Sequence, residues 1–257
     1  MTNLNTLSSH ADCATAYKLI RSKYNIGKLT TTGNPKLDKA VKFGFLNTGI
    51  TLLPHSMMDT IQGEAVRHNL CLNSTKECRE NCLVFSGRGY MSNVMKARLN
   101  RSKAFINEPV TFWQAVVHRA RLDLKIAKKY GLKLAFRFNI LSDVQVPSWV
   151  IDAMANEGIR CYDYTKDWNR ESSDKYHLTY SVSDKTRIRD MVDKLNSGKN
   201  VTIVFDGPVP SEYLGFKVVS GMDSDLRFLD PAGVIVGLEA LGKLKRSNSR
   251  FKFPLVA

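Results

Sequence analysis

From residue 132 onward the chain alternates short apolar runs with helical patterns, and this alternation restricts the fold more than any other feature. Strands are predicted at Leu132 to Ile140, Ile159 to Tyr164, His177 to Val182, Val201 to Phe205, Phe216 to Ser220 and Gly233 to Leu238. Helices are predicted at Pro147 to Asn156, closed by Gly158, and at Lys185 to Asn196, ended by Ser197-Gly198. Strands that are apolar along nearly their whole length need cover on both faces. The pattern therefore implies an α/β fold with a mostly parallel sheet and flanking helices. Upstream, residues 1–70 read as an irregular N-terminal part, with short pieces at Ala14 to Tyr24 and Gly49 to Leu53 and a turn at Thr32-Gly-Asn-Pro35. Residues 71–130 hold a cysteine segment and two helices, Met91 to Phe105 and Pro109 to Tyr130, the second with proline suited to its first turn. Residues 131–257 form the regular β/α part. No linker or internal repeat divides the chain, and 257 residues suffice to bury a core without disulfides or metal, so 1–257 reads as a single domain.

In parallel α/β folds the C-terminal ends of the strands share one rim, and functional groups collect in the loops there. Those ends carry Asn139, Ser142 and Asp143, then Asp163, Tyr164, Thr165 and Lys166, then Ser181, Ser183 and Asp184, with Asp206, Asp223 and Asp225 after later strands. Ser183 and Asp184 read equally well as caps of the next helix. In Tyr162-Asp-Tyr-Thr-Lys166 two tyrosines, an acid and a lysine meet at one strand end, where they could hold a charged substrate or tune the lysine. Met222-Asp-Ser-Asp-Leu-Arg-Phe-Leu-Asp-Pro231 surrounds one arginine with three acids. It lacks the glycine and glutamate of a calcium loop, which favours a self-paired turn.

Cys71, Cys78 and Cys82 fall within twelve residues of a chain with only two other cysteines, Cys13 and Cys161. An odd, crowded set is a poor disulfide framework but suits a thiolate metal site in a reducing compartment. Three cysteines are one short of a tetrahedral structural zinc, whereas a cubane iron–sulfur cluster on three cysteines keeps one iron for another ligand. His68, three residues before Cys71, would complete a zinc set; the other histidines, His10, His55, His118 and His177, are scattered.

The net charge of +14, from 38 Lys+Arg against 24 Asp+Glu, attracts anions and makes nucleic acid a conceivable partner, but no motif supports it. His118, Arg121, Lys125, Lys128 and Lys129 share one face of the Pro109 to Tyr130 helix and read as solvated surface. There is no nucleotide-binding glycine loop, no H-E-x-x-H and no G-x-S-x-G. The N-terminus lacks a basic and apolar leader pattern, and no stretch approaches eighteen apolar residues, so a cytoplasmic protein with no membrane partner is expected.

Several blocks together resemble the phage gene product 88-like family. They are the cysteine segment continuing through Cys82-Leu-Val-Phe-Ser-Gly-Arg-Gly89, then Lys96-Ala-Arg98, Arg101 and Phe105, then Arg137-Phe-Asn139 with Ser142-Asp143. Further on come Tyr162 to Lys166, His177-Leu-Thr-Tyr-Ser181 and Asp223 to Gly237. The resemblance covers most of residues 30 to 250 and implies kinship with three-cysteine TIM-barrel iron–sulfur proteins. It thus implies a bacteriophage origin in the host cytoplasm, a TIM-barrel-like fold and a [4Fe-4S] cluster on Cys71, Cys78 and Cys82. S-adenosylmethionine is not supported by the C-x6-C-x3-C spacing, since radical-SAM enzymes usually carry C-x3-C-x2-C.

Two functions follow as expectations. In the first, an iron–sulfur enzyme uses the open iron on a small anionic substrate, by hydrolase/lyase-type or radical-SAM-like chemistry. Lys166, Asp163 or Asp143 then serve as acid or base, and Arg88, Arg98, Arg101, Asn139, Tyr164 and Ser181 as substrate-binding groups. In the second, His68 and the three cysteines hold a structural zinc in a nucleic-acid-binding protein.

Overall fold

The computed structural model describes residues 10–31, 38–55, 57, 68–85 and 87–254. Its centre is an eight-stranded sheet: β1 (Phe45–Gly49), β2 (Lys133–Arg137), β3 (Arg160–Thr165), β4 (Tyr176–Ser181), β5 (Val201–Phe205), β6 (Glu212–Tyr213), β7 (Phe216–Ser220) and β8 (Ile235–Glu239). The spatial order is β1-β2-β3-β4-β5-β8-β7-β6. All neighbours run parallel except β6 and β7. That pair is a hairpin whose two central residues, Leu214 and Gly215, both have positive φ, the geometry of a tight turn matched to strand twist. The described strands form one row with β1 and β6 at its ends, and no pairing among them closes a barrel.

Helix α1 (His10–Lys23) precedes the sheet. After β1 come α2 (Lys76–Glu80), α3 (Ser92–Asn107) and α4 (Pro109–Lys129), then α5 (Ser148–Ala155), α6 (Ile188–Asn196) and α7 (Gly242–Lys245). None is long and apolar enough to cross a membrane. Proline opens α4, where its missing N–H costs nothing, and Phe112, Trp113, Val116, Ala120 and Leu124 recur at helical spacing on the buried side. They pack with Leu134, Phe136 and Phe138 of the β2 region and with Cys13, Ala16 and Ile20 of α1 into the main core. Alternate residues point the other way, and that second face is polar. Asn47, Arg137, Tyr162 and Tyr164 lie beneath residues 224–230, whose Leu226 and Phe228 pack on Ala135 and Tyr162.

β2, β3, β4, β5, β7 and β8 match the sequence reading, whereas β6 has no counterpart in it; β2 stops at Arg137 because Phe138 and Asn139 already turn into the rim loop. The first strand is Phe45–Gly49 rather than Gly49 to Leu53: polar Asn47 and Thr48, both buried, disguise it. Gly49 ends it in close contact with β2, since a Cβ there would stand 2.2 Å from the Arg137 carbonyl oxygen. The turn at Thr32-Gly-Asn-Pro35 lies outside the described residues. On α4, Lys125, Lys128 and Lys129 are exposed as expected, whereas Arg121 pairs with Glu157 at 2.5 Å and His118 rests against the Tyr17 ring.

Candidate functional site

Residues 71–82 lie across the C-terminal rim of the sheet and are tied to it from several loops. The Cys71 thiol reaches the carbonyl of Leu141 at 3.6 Å, in the loop after β2. Immediately beside it, the Asp143 amide donates to the Leu70 carbonyl at 2.8 Å. Thr75 caps α2 by accepting from the Cys78 amide at 3.1 Å and donates its own hydroxyl to Asp184 at 2.5 Å, in the loop after β4. Ser249 donates to Glu77, and Lys243 donates to the Glu80 carbonyl at 3.1 Å. Asp184 thus holds the cysteine segment and does not cap α6, which starts at Ile188.

The three cysteines are free and half-buried, and their thiols couple electrostatically with Lys166, itself half-buried at the end of β3. Burial works against the Lys166 ammonium, but the thiols of Cys78, Cys71 and Cys82 and the Asp143 carboxylate outweigh it and hold its pKa above the ordinary lysine value. Lys166 is therefore a cation at neutral pH, suited to holding an anion or giving up a proton rather than to acting as a resting base. Burial pushes the Cys71 thiol up to about 12, with Lys166 opposing the shift and Asp143 and Cys78 adding to it. Cys82 is raised for the same first reason, with Lys166 and Arg98 among the groups that oppose it. Thiols raised by burial react slowly as free nucleophiles.

Asp143 is held in place by Thr165 Oγ1 at 2.9 Å, the Lys166 amide at 2.7 Å and Arg170 at 2.9 Å. Cys71, Cys78, Cys82, Lys166, Asp143 and Arg98 therefore form one neighbourhood. Arg98 fixes the turn after the cysteines by donating to the Gly89 carbonyl at 2.7 Å. Arg88 lies on that same turn, Gly87–Tyr90, with its side chain outside the described residues.

Five other predicted site residues stand elsewhere. Asp163 is fully buried on the helix-covered side and accepts hydrogen bonds from the Asn139 amide at 2.8 Å, Asn139 Nδ2 at 3.1 Å and the Tyr176 hydroxyl at 2.5 Å. Burial pushes its pKa up to about 6, against the pull of Arg137 and these donors. Asn139 is also buried and organises the rim loop: its Oδ1 accepts from Ser142 Oγ and the Val144 amide, and its Nδ2 donates to the Val144 carbonyl. Tyr164 lies on the opposite face, donating to Asp225 at 3.3 Å beneath the Arg137 guanidinium. Arg101 spends its donors on Thr51 and the Lys28 carbonyl and so ties the N-terminal part to α3. Ser181 holds Trp168 through its backbone carbonyl at 3.3 Å. The loop after β7 is self-paired as expected, with Arg227 on the Ser224 carbonyl and Asp230, while Asp225 reaches across to Arg137 at 2.7 Å.

One residue at the cysteines carries no sequence signal. His55 lies sixteen positions before Cys71, outside any recognisable ligand spacing. Its backbone carbonyl accepts from the Leu70 amide at 3.4 Å, which sets it beside Cys71. Both ring nitrogens are buried and, among the described residues, have no hydrogen-bond partner. Also among the described residues, no three His, Cys, Asp or Glu side chains are gathered closely enough to hold a single metal ion.

A protein-family model described as Gene product 88 matches residues 20–253. No curated protein and no solved structure matches the chain.

Proposed function

Taking as premise that the chain belongs to the Gene product 88 family, we propose that it is a bacteriophage iron–sulfur enzyme of the host cytoplasm. Cys71, Cys78 and Cys82 hold a [4Fe-4S] cluster, and a small anionic substrate binds beside it. The observation that carries the reading is the convergence of three free thiols, Lys166 and Asp143 on one patch of the rim. The donor set fits such a cluster. A cubane takes one protein thiolate per iron, so its cysteines need not meet at the single point a mononuclear ion requires. The orphaned nitrogens of His55 beside Cys71 also fit a site that receives a further group.

When bound, a three-cysteine cluster supplies a Lewis acid at the iron that lacks a thiolate. The chain supplies the rest. Lys166 Nζ holds the anionic group of the substrate or delivers a proton to it. Asp143, oriented by Thr165 and Arg170, takes a proton from the substrate side, and Arg98 and Arg88 add positive charge. Asn139 and Asp163 keep the Asp143 loop in register from behind. A barrel-like origin belongs to the same reading: five parallel strands in chain order, with functional loops at their C-terminal rim, suit part of a (β/α) barrel.

Anaerobic purification with iron, sulfide and zinc assays tests the proposal. A brown protein with about four irons per chain is expected, and Cys71→Ser, Cys78→Ser and Cys82→Ser should each lose it. A colourless protein with stoichiometric zinc overturns the cluster.

A further inference from the structure

We infer that His55 is the fourth protein ligand of the metal centre, taking the iron that the three cysteines leave without a thiolate. The inference rests on the cluster reading above and deepens it, because it names what occupies the open position before substrate arrives.

The geometry comes from the backbone. His55 has a positive φ of 39°, a conformation that residues with a Cβ seldom adopt. It follows Pro54 and is held by its carbonyl, which accepts from the Leu70 amide at 3.4 Å. Its neighbours Leu53 and Met57 pack with Val84 and Cys82 in a small apolar cluster that also takes in Leu141. The residues on either side of it thus belong to the cluster against which the third cysteine packs, while its own carbonyl holds the residue before the first.

An imidazole so placed should find partners for its nitrogens. A buried polar group without a hydrogen bond costs about 1–3 kcal/mol, and natural folds leave few of them. Neither nitrogen of His55 has a partner among the described residues. A ring nitrogen with no hydrogen-bond partner has a lone pair to offer a metal. A neutral imidazole is the commonest metal ligand among side chains, and it binds iron more weakly than a thiolate, so an incoming anion can displace it. His68 is closer in sequence to Cys71 but already has an interaction of its own.

The experiment follows the fate of the fourth iron. The full-length protein is purified anaerobically as wild type, His55→Ala, His55→Cys and His68→Ala. Each is exposed to ferricyanide while iron per chain is assayed and the three-iron paramagnetic signal is recorded. If His55 is the ligand, His55→Ala loses one iron about ten-fold or more faster than wild type, and added imidazole slows that loss. His55→Cys retains the iron at least as well as wild type, and His68→Ala behaves as wild type. Equal rates in wild type and His55→Ala, or failure of both imidazole and His55→Cys to retain the iron, overturn the assignment while leaving the cluster intact. Wild type that contains neither iron nor sulfide refutes the cluster, and the assignment with it.

Discussion

The two faces of the strand-end region treat charge in opposite ways. On the face beneath residues 224–230, Arg137 is paired with Asp225, stacked on Tyr164 and near Asp163, and the Tyr162 and Tyr164 hydroxyls turn to the same Asp225 carboxylate. At the rim, three thiols, an ammonium and an imidazole are brought together with their chemistry unspent. A buried charge pair is destabilising to break and offers nothing to a ligand, whereas the rim groups are half-exposed and can still bind one. The comparison separates residues that hold the fold from residues that can act, although both sets looked alike as polar strand ends.

Perturbing the closed network should therefore change stability, and perturbing the rim should change reactivity. The largest effect is expected for Asp225→Ala, which strands the Arg137 guanidinium. Urea denaturation should show a loss of about 3–5 kcal/mol, and a loss below 1 kcal/mol would erase the distinction between the faces. Next comes a pH dependence carried by Asp163, whose native pKa of about 6 lies above the 3.8 of an unperturbed carboxyl. Between those values the native state binds more protons than the unfolded chain, so this contribution to stability falls as pH rises through the window and is flat above it. The difference in urea midpoint between wild type and Asp163→Asn, followed from pH 4 to 7, should vary mainly in that interval; a constant difference contradicts the shift.

Thr75→Ala removes both the cap of the cysteine helix and the bond to Asp184. It should cost only about 1 kcal/mol globally while speeding alkylation of Cys78 in the metal-free protein, as read by mass spectrometry. The smallest stability change is expected for Lys166→Ala, within about 0.5 kcal/mol of wild type. Yet Cys71 and Cys82 should alkylate more slowly at a fixed pH, because the ammonium that favours their thiolates is gone. Faster alkylation would place Lys166 as a shield rather than a charge partner.

The sequence announced β2 to β5, β7 and β8 because each is a short run of apolar and aromatic residues set off by turns or helical patterns. It concealed β1, where Asn47 and Thr48 sit in a buried strand, and β6, which is two residues long. Cys71, Cys78, Cys82, Asp143 and Lys166 were legible because thiol clustering and strand-end position are local properties. Asp163, Asn139 and Arg101 looked equally functional, but their partners are backbone and side-chain groups far along the chain, such as Tyr176 for Asp163 and Thr51 for Arg101. His55 was missed for the converse reason: nothing near it in sequence marks it, and only the fold sets it against Leu70, next to Cys71.

The ties that fasten the cysteine segment to the rim span 109 residues from Thr75 to Asp184, 163 from Glu80 to Lys243 and 172 from Glu77 to Ser249. A ribosome makes the thiols more than a hundred residues before any of these anchors. Closing such long loops carries an entropic cost that only a nearly finished sheet can offset. The thiols thus stay without their cradle until residues as far on as Ser249 have been made and folded back, and the cysteine segment settles late.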